Sequence, residues 1–262
     1  MLSDDLCSDQ QGYCSLRAAI QSANLWIGGQ TIVLQETGVY TLTIPGAREN
    51  AAVTGDLDIT EQLTITGTAP YLTVINANQI DRVFHVQPGA DVKLENLGIK
   101  NGNPPITDPY GMLAWERYGG GIFNAGSLEL NQVYIFQNTT ADVGSSDLDG
   151  TYGGGVYSQG AITINNSEIT FNTTVDGYSG GTEGNKGGNG AGLYLAGASS
   201  IIMNSNISHN QTGDGGDGLS STNSYGGRGG MGAGVYSLSS SLVIEDSVIE
   251  FNTTGDGGDG FG

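Results

Sequence analysis

Positive charge is scarce in this 262-residue sequence: eight Lys and Arg stand against 27 Asp and Glu, a formal balance of -19 at pH 7. A phosphate backbone is held by clustered cations that displace counterions, and here the eight are scattered singly, so nucleic acid is not expected as a partner. An anionic membrane surface is disfavoured on the same ground. Long apolar runs are missing too. Nothing approaches the ~18 to 20 consecutive apolar residues of a spanning helix, and no basic, apolar leader precedes the fold, so a soluble chain without membrane insertion is expected. Proline is limited to six residues and glycine follows no Gly-X-Y period, which removes collagen. Cysteine is limited to Cys7 and Cys14, with no histidine cluster to complete a zinc site. Their spacing across Ser8-Asp9-Gln10-Gln11-Gly12 suits a local disulfide, against the alternative of two buried thiols, and a disulfide implies an oxidising, extracytoplasmic compartment.

What is abundant is glycine, 45 residues or about 17% against the usual ~7%. Short alternating runs of Val, Ile and Leu accompany it, which a disordered chain lacks. Four segments open alike: Gly119-Gly120-Gly121-Ile122-Phe123, Gly153-Gly154-Gly155-Val156-Tyr157, Gly190-Ala191-Gly192-Leu193-Tyr194 and Gly232-Ala233-Gly234-Val235-Tyr236. After each comes an alternating pair, the first being Leu128 with Leu130. Then an isoleucine stands at Ile135, Ile169, Ile207 and Ile249, and three residues later an asparagine at Asn138, Asn172, Asn210 and Asn252. Phe84, Val92, Leu94 and Ile99 fit the same frame upstream. Length varies only in a glycine-rich insertion before the next unit.

Each unit reads as three short strands that cannot bury their apolar side alone. Stacking equivalent strands in parallel at ~4.8 Å buries a continuous column of Ile, Leu and Val, so the expected fold is all-β, a single-stranded parallel β-helix. A polar file at Asn96, Gln132, Asn166, Asn204 and Asp246 is expected at a turn, where asparagine tolerates a left-handed backbone. Residues Ser15 to Asn24 form the one amphipathic helix, with Leu16, Ala19, Ile20 and Ala23 on one face, which is expected to cap the open end of the apolar column. The division expected is therefore 1–30, a disulfide loop and N-terminal capping helix, and 31–262, β-helix coils with glycine-rich insertions. No equivalent lid is expected at the other end.

The run from Cys7 through Cys14-Ser15-Leu16-Arg17-Ala18-Ala19-Ile20 to Ala23-Asn24 resembles the N-terminal signature of CSLREA-domain proteins, departing from it at Ala18, where the family usually has glutamate. The resemblance extends to phrases such as Gly119-Gly120-Gly121-Ile122-Phe123-Asn124 and Ile169-Thr170-Phe171-Asn172-Thr173-Thr174. It implies a secreted, right-handed β-helix repeat protein at a microbial surface, often within a longer anchored chain, and no settled activity. The same fold hosts polysaccharide lyases, glycoside hydrolases and adhesins, so fold alone does not choose among them.

Candidate sites follow from the pattern. Asp81, Arg82, His85, Lys93 and Lys100 gather around one coil, as a lyase or hydrolase requires, but a solvated strand edge is the simpler expectation. Asp56 and Asp58 are taken as turn formers. Asp214, Asp217, Asp256 and Asp259 recur on glycine loops and offer oxygen ligands to calcium, against glycines that merely serve turns of positive φ. Tyr157, Tyr194 and Tyr236 form an outward file that offers stacking to surface glycans, or to one another. Asn138, Asn172, Asn210 and Asn252 head N-glycosylation sequons, although a turn ladder produces the same letters. The expectation favoured is a non-enzymatic extracellular structural or adhesive protein, with head-to-tail self-association into fibres as a variant. The alternative is a carbohydrate-active enzyme or glycan-binding module.

Overall fold

In the computed structural model the described residues are 14–47, 49–105, 114–141, 149–197, 199–220 and 223–261. They form a mostly β protein with parallel sheets and, among these residues, a single α-helix. One sheet has twelve strands. Its main path runs through Gln30–Val33, Leu63–Thr66, Asp91–Lys100, Ser127–Phe136, Ala161–Asn165, Ser199–Met203 and Ser241–Glu245. The other has six: Leu57–Ile59, Phe84–Val86, Ile122–Asn124, Val156–Ser158, Leu193–Leu195 and Val235–Ser237. Every pairing in both is parallel and joins strands from successive units.

The register matches the repeated letters. Ile75, Ile99, Ile135, Ile169, Ile207 and Ile249 are direct neighbours across parallel strands. Strand alternation turns this file inward, and Ile75 through Ile207 are fully buried. The last unit differs. Ile244 and Ile249 occupy inward positions yet remain 41% and 44% exposed, with no further strand among the described residues to cover them.

Turns recur in columns as well. Asn96, Gln132, Asn166, Asn204 and Asp246 all have positive φ, between 46° and 54°, the conformation that a short polar side chain tolerates best. A second column, Gln137, Phe171, His209 and Phe251, is left-handed too; along it Phe171 stacks on His209 at 4.9 Å, and Phe251 lies tilted against His209 at 5.3 Å.

The helix Leu16–Ala23 begins at Ser15, whose hydroxyl accepts the Ala18 N–H, and it buries Ile20 completely against the first strands. Arg17 fixes its orientation. The guanidinium donates to the carbonyls of Ala52, Thr54, Gly55 and Asp56 at 2.6 to 3.2 Å, clamping the segment that leads into Leu57–Ile59. Burial lowers the pKa of Arg17, and nearby acids, Glu49 first, oppose that shift. Cys7 lies outside the described residues, so its pairing with Cys14 is not described.

The glycine-rich insertions are ordered rather than loose. Outgoing legs at 175–180, 213–218 and 255–260 and returning legs at 184–188 and 226–230 bond to one another at intervals of three residues. Gly177 and Gly180 donate to Asp214 and Asp217 at 2.8 and 2.9 Å, and Gly184 and Gly187 donate to Tyr225 and Arg228 at 2.8 and 2.9 Å. Three residues per turn is the period of a polyproline-II helix. A Cβ on Gly213, Gly216, Gly227 or Gly230 would collide with a neighbouring leg's carbonyl. Glycine is thus required here by close approach. Positive φ, the expected reason, occurs in these insertions at Gly181, outside the legs.

Candidate functional site

Sheet pairing brings the densest polar cluster together on the outward side of the six-stranded sheet. Asp58 and His85 are direct partners across the parallel strands Leu57–Ile59 and Phe84–Val86, and Asp56, Asp81 and Arg82 flank them at the strand entries. All five residues are at most 6% exposed. That overturns the expectation of a solvated strand edge. The 3-10 turn Ala114–Arg117 and the Arg17-clamped segment supply further groups to this region, so that side chains leaving the sheet outward still enter a dry environment.

Charges there are paired. Arg82 Nε lies 3.0 Å from Asp56 Oδ2 and 3.6 Å from Asp81 Oδ1, and Nη2 donates to Glu116 O at 2.7 Å. The Nε contact is an ion pair without an aligned hydrogen bond, and Nη1 likewise has no aligned acceptor among the described residues. Burial raises the pKa of Asp56 well above the usual carboxylate range and raises that of Asp81, with Arg82 opposing both shifts. Desolvation lowers the His85 pKa against its hydrogen bond with Asp58. His85 Nδ1 stands 3.1 Å from Asp58 Oδ1 and 2.9 Å from Gln87 Nε2, which itself donates to Asp58 at 2.8 Å. The Ala52 N–H also donates to Asp58, at 3.1 Å.

Asp56, Asp58 and His85 are, among the described residues, the set whose potential ligand atoms lie within 4.8 Å of one another. A divalent ion fits this place poorly. The Arg82 guanidinium already supplies the cation against Asp56, and Asp58 is engaged by His85, Gln87 and a backbone N–H.

Other expected site residues fall elsewhere. Lys93 pairs with Glu95 and Glu129 at 3.0 and 3.1 Å, and Lys100 lies over the Phe136 ring, both apart from the buried cluster. Asp214 Oδ1 accepts the Asp256 N–H at 2.8 Å and Asp217 Oδ1 accepts the Asp259 N–H at 2.7 Å. These aspartates therefore run in rows, one carboxylate per unit, and form no converging ligand set among the described residues.

Tyr157, Tyr194 and Tyr236 continue the row that Asp58, His85 and Phe123 begin. Ring centroids along it are 4.9 to 5.2 Å apart, and Tyr118 and Tyr152 pack against its side. Tyr157 and Tyr194 are buried with their faces against neighbouring rings, so a sugar cannot stack on them; Tyr236, at the end of the row, is half-buried.

Asn138, Asn172 and Asn210 are at most 1% exposed. Each side-chain amide donates to the next asparagine's Oδ1, at 2.9, 3.0 and 2.9 Å, ending on Asn252. Buried and bonded amides cannot carry sugar in the folded protein, which corrects the sequon reading at these three positions. The Asn252 amide is committed as well, to Ile207 O and Glu250 O at 2.8 and 3.0 Å.

Sequence reasoning did not anticipate the Arg17 clamp or the glycine legs. The legs had a signal, the recurrence of glycine three residues apart at 177 and 180, 184 and 187, 213 and 216, and 255 and 258. Compared with known proteins, the chain matches no family model, no curated protein and no solved structure.

Proposed function

We propose that this protein is a right-handed parallel β-helix of CSLREA type, acting as a non-enzymatic structural or adhesive element outside a microbial cell. The β-helix reading is supported by parallel strands of successive units pairing letter for letter and by apolar files that run through both sheets. A helix that buries Ile20 against the first unit supports its role as a cap. The extracellular placement rests on the resemblance around Arg17 and on the proposed Cys7–Cys14 bond.

The observation that carries the non-enzymatic reading is the burial of Asp58 at 0% and His85 at 5%. A polymer substrate must reach its acid and base, and here they are enclosed and bonded to each other. Head-to-tail fibres are not part of this proposal, because a second molecule approaching the first unit would meet the helix Leu16–Ala23 rather than open strands.

The test is a screen of neutral and acidic polysaccharides for unsaturated or new reducing-end products. None is expected. A product that disappears in Asp58→Asn would establish the lyase or hydrolase alternative instead. Fractionation of cells carrying the native gene, with the protein found only inside, would overturn the extracellular placement.

A further inference from the structure

Five tyrosines touch ring to ring without interruption. Tyr118 meets Tyr152 and Tyr157, each with centroids 4.8 Å apart. Tyr194 meets Tyr152 at 4.7 Å, Tyr157 at 5.2 Å and Tyr236 at 4.9 Å. Packing alone asks for no hydroxyl here, since Phe123 opens the same file and stacks on Tyr157 at 5.2 Å with a bare ring. The hydroxyls of Tyr118, Tyr152 and Tyr194 have no hydrogen-bond partner among the described residues, and none of the three is sealed from solvent. That of Tyr157 receives Gln159 Nε2 at 3.4 Å. What the hydroxyl adds to each ring is a hydrogen atom that an oxidant can remove.

The closest pair is also the most nearly parallel. The ring planes of Tyr152 and Tyr194 are 15° apart, against 21° to 40° for the other tyrosine contacts of the cluster. Tyr194 is held in the strand Leu193–Leu195, whereas Tyr152 is half-buried and lies between strands, in the segment that leads into Gly153. One ring is thus fixed and the other is both less constrained and within reach from outside. Burial raises the pKa of Tyr118, Tyr152 and Tyr194. These phenols stay protonated at neutral pH, so oxidation removes the proton together with the electron, and water at the hydroxyl accepts it.

We propose that Tyr152 and Tyr194 are a site of oxidative cross-linking, joined as dityrosine by hydrogen peroxide acting through a haem peroxidase. Each phenol gives up one electron and one proton, and the two radicals form a single bond between ring carbons ortho to the oxygens. The hydrogens on those carbons then move to the oxygens and restore both phenols. The two electrons and two protons released reduce one peroxide to two waters. The bond would join residues 42 apart in sequence, a covalent staple between neighbouring units that otherwise hold each other by packing and hydrogen bonds.

The test treats the full chain, dilute enough to disfavour links between molecules, with hydrogen peroxide and a peroxidase, and maps the product by mass spectrometry. The expected product is a monomer lighter by two hydrogen atoms, with dityrosine fluorescence and a cross-linked peptide pair containing Tyr152 and Tyr194. Tyr152→Phe keeps the ring and should abolish that pair, while Tyr225→Phe, at an exposed tyrosine outside the cluster, should leave its yield unchanged. Oxidation of the native sequence in denaturant should lower the yield about tenfold or more, because a long unfolded loop seldom brings its ends together. That comparison decides the matter if Tyr152→Phe does not fold. Absence of the pair, links confined to the exposed Tyr71, Tyr178 or Tyr225, or an equal yield from the denatured chain would each overturn the proposal.

Discussion

Asn172 Oδ1 accepts two hydrogen bonds from Asn138, one from the backbone N–H at 3.1 Å and one from the side-chain amide at 2.9 Å. The Asn172 amide meanwhile donates to Ile135 O, Thr170 O and Asn210 Oδ1. One side chain thus satisfies buried groups in three successive units.

Asn172→Ala should therefore strand several buried polar groups at once, at about 1 to 3 kcal/mol each. A clear fall in the denaturant midpoint is expected, larger than for Asn252→Ala at the partly exposed end of the ladder. Equal effects at the two positions would contradict the ladder. Expression in a glycosylating host should give no glycan mass at Asn138, Asn172 or Asn210.

Arg17→Ala removes four bonds to carbonyls and should release the helix from the 52–56 segment while leaving the later units folded. Protease cleavage confined to the first 60 or so residues is the expected result, about one unit by the neighbour-only coupling of stacked repeats. Lysine, with one ammonium in place of a fork, should rescue it poorly. Full protection in Arg17→Lys would show that charge alone suffices.

Acidification should affect the buried cluster in two opposing ways. His85 has a folded pKa below 6.5, so the unfolded chain binds the extra proton first and stability falls as pH drops through 6.5 towards the folded value. Asp56 and Asp81 have folded values above 3.8, so their contribution returns as pH falls through the folded values towards 3.8. Across pH 7 to 5 the native protein should lose melting temperature relative to His85→Gln. Parallel curves would remove His85 from this role.

Gly216→Ala should lower stability by directing a methyl at Tyr178 O, and hydrogen exchange should accelerate in the legs 175–180 and 255–260. Chelator should leave the melting temperature unchanged, because Asp214 and Asp217 bond backbone rather than converge on an ion. A drop with chelator that calcium reverses would restore a metal at those loops.

The strand pattern was legible because inward positions repeat with period two and fixed spacing, so Ile135, Ile169, Ile207 and Ile249 announce their own pairing. The asparagine file was legible for the same reason. The burial of His85 was not, since a residue on the outward side of a strand reads as exposed until the covering segments are placed, and those lie 30 residues away on either side. Arg17 was legible as a motif letter but not as a clamp, because its four acceptors are carbonyls that carry no sequence identity.

The two poles of the core are unlike. At one, Ile20 is sealed beneath a helix held by a guanidinium; at the other, Ile244 and Ile249 stand nearly half bare. Since each unit leans only on its neighbours, the sealed pole should resist fraying for as long as the guanidinium keeps its four carbonyls.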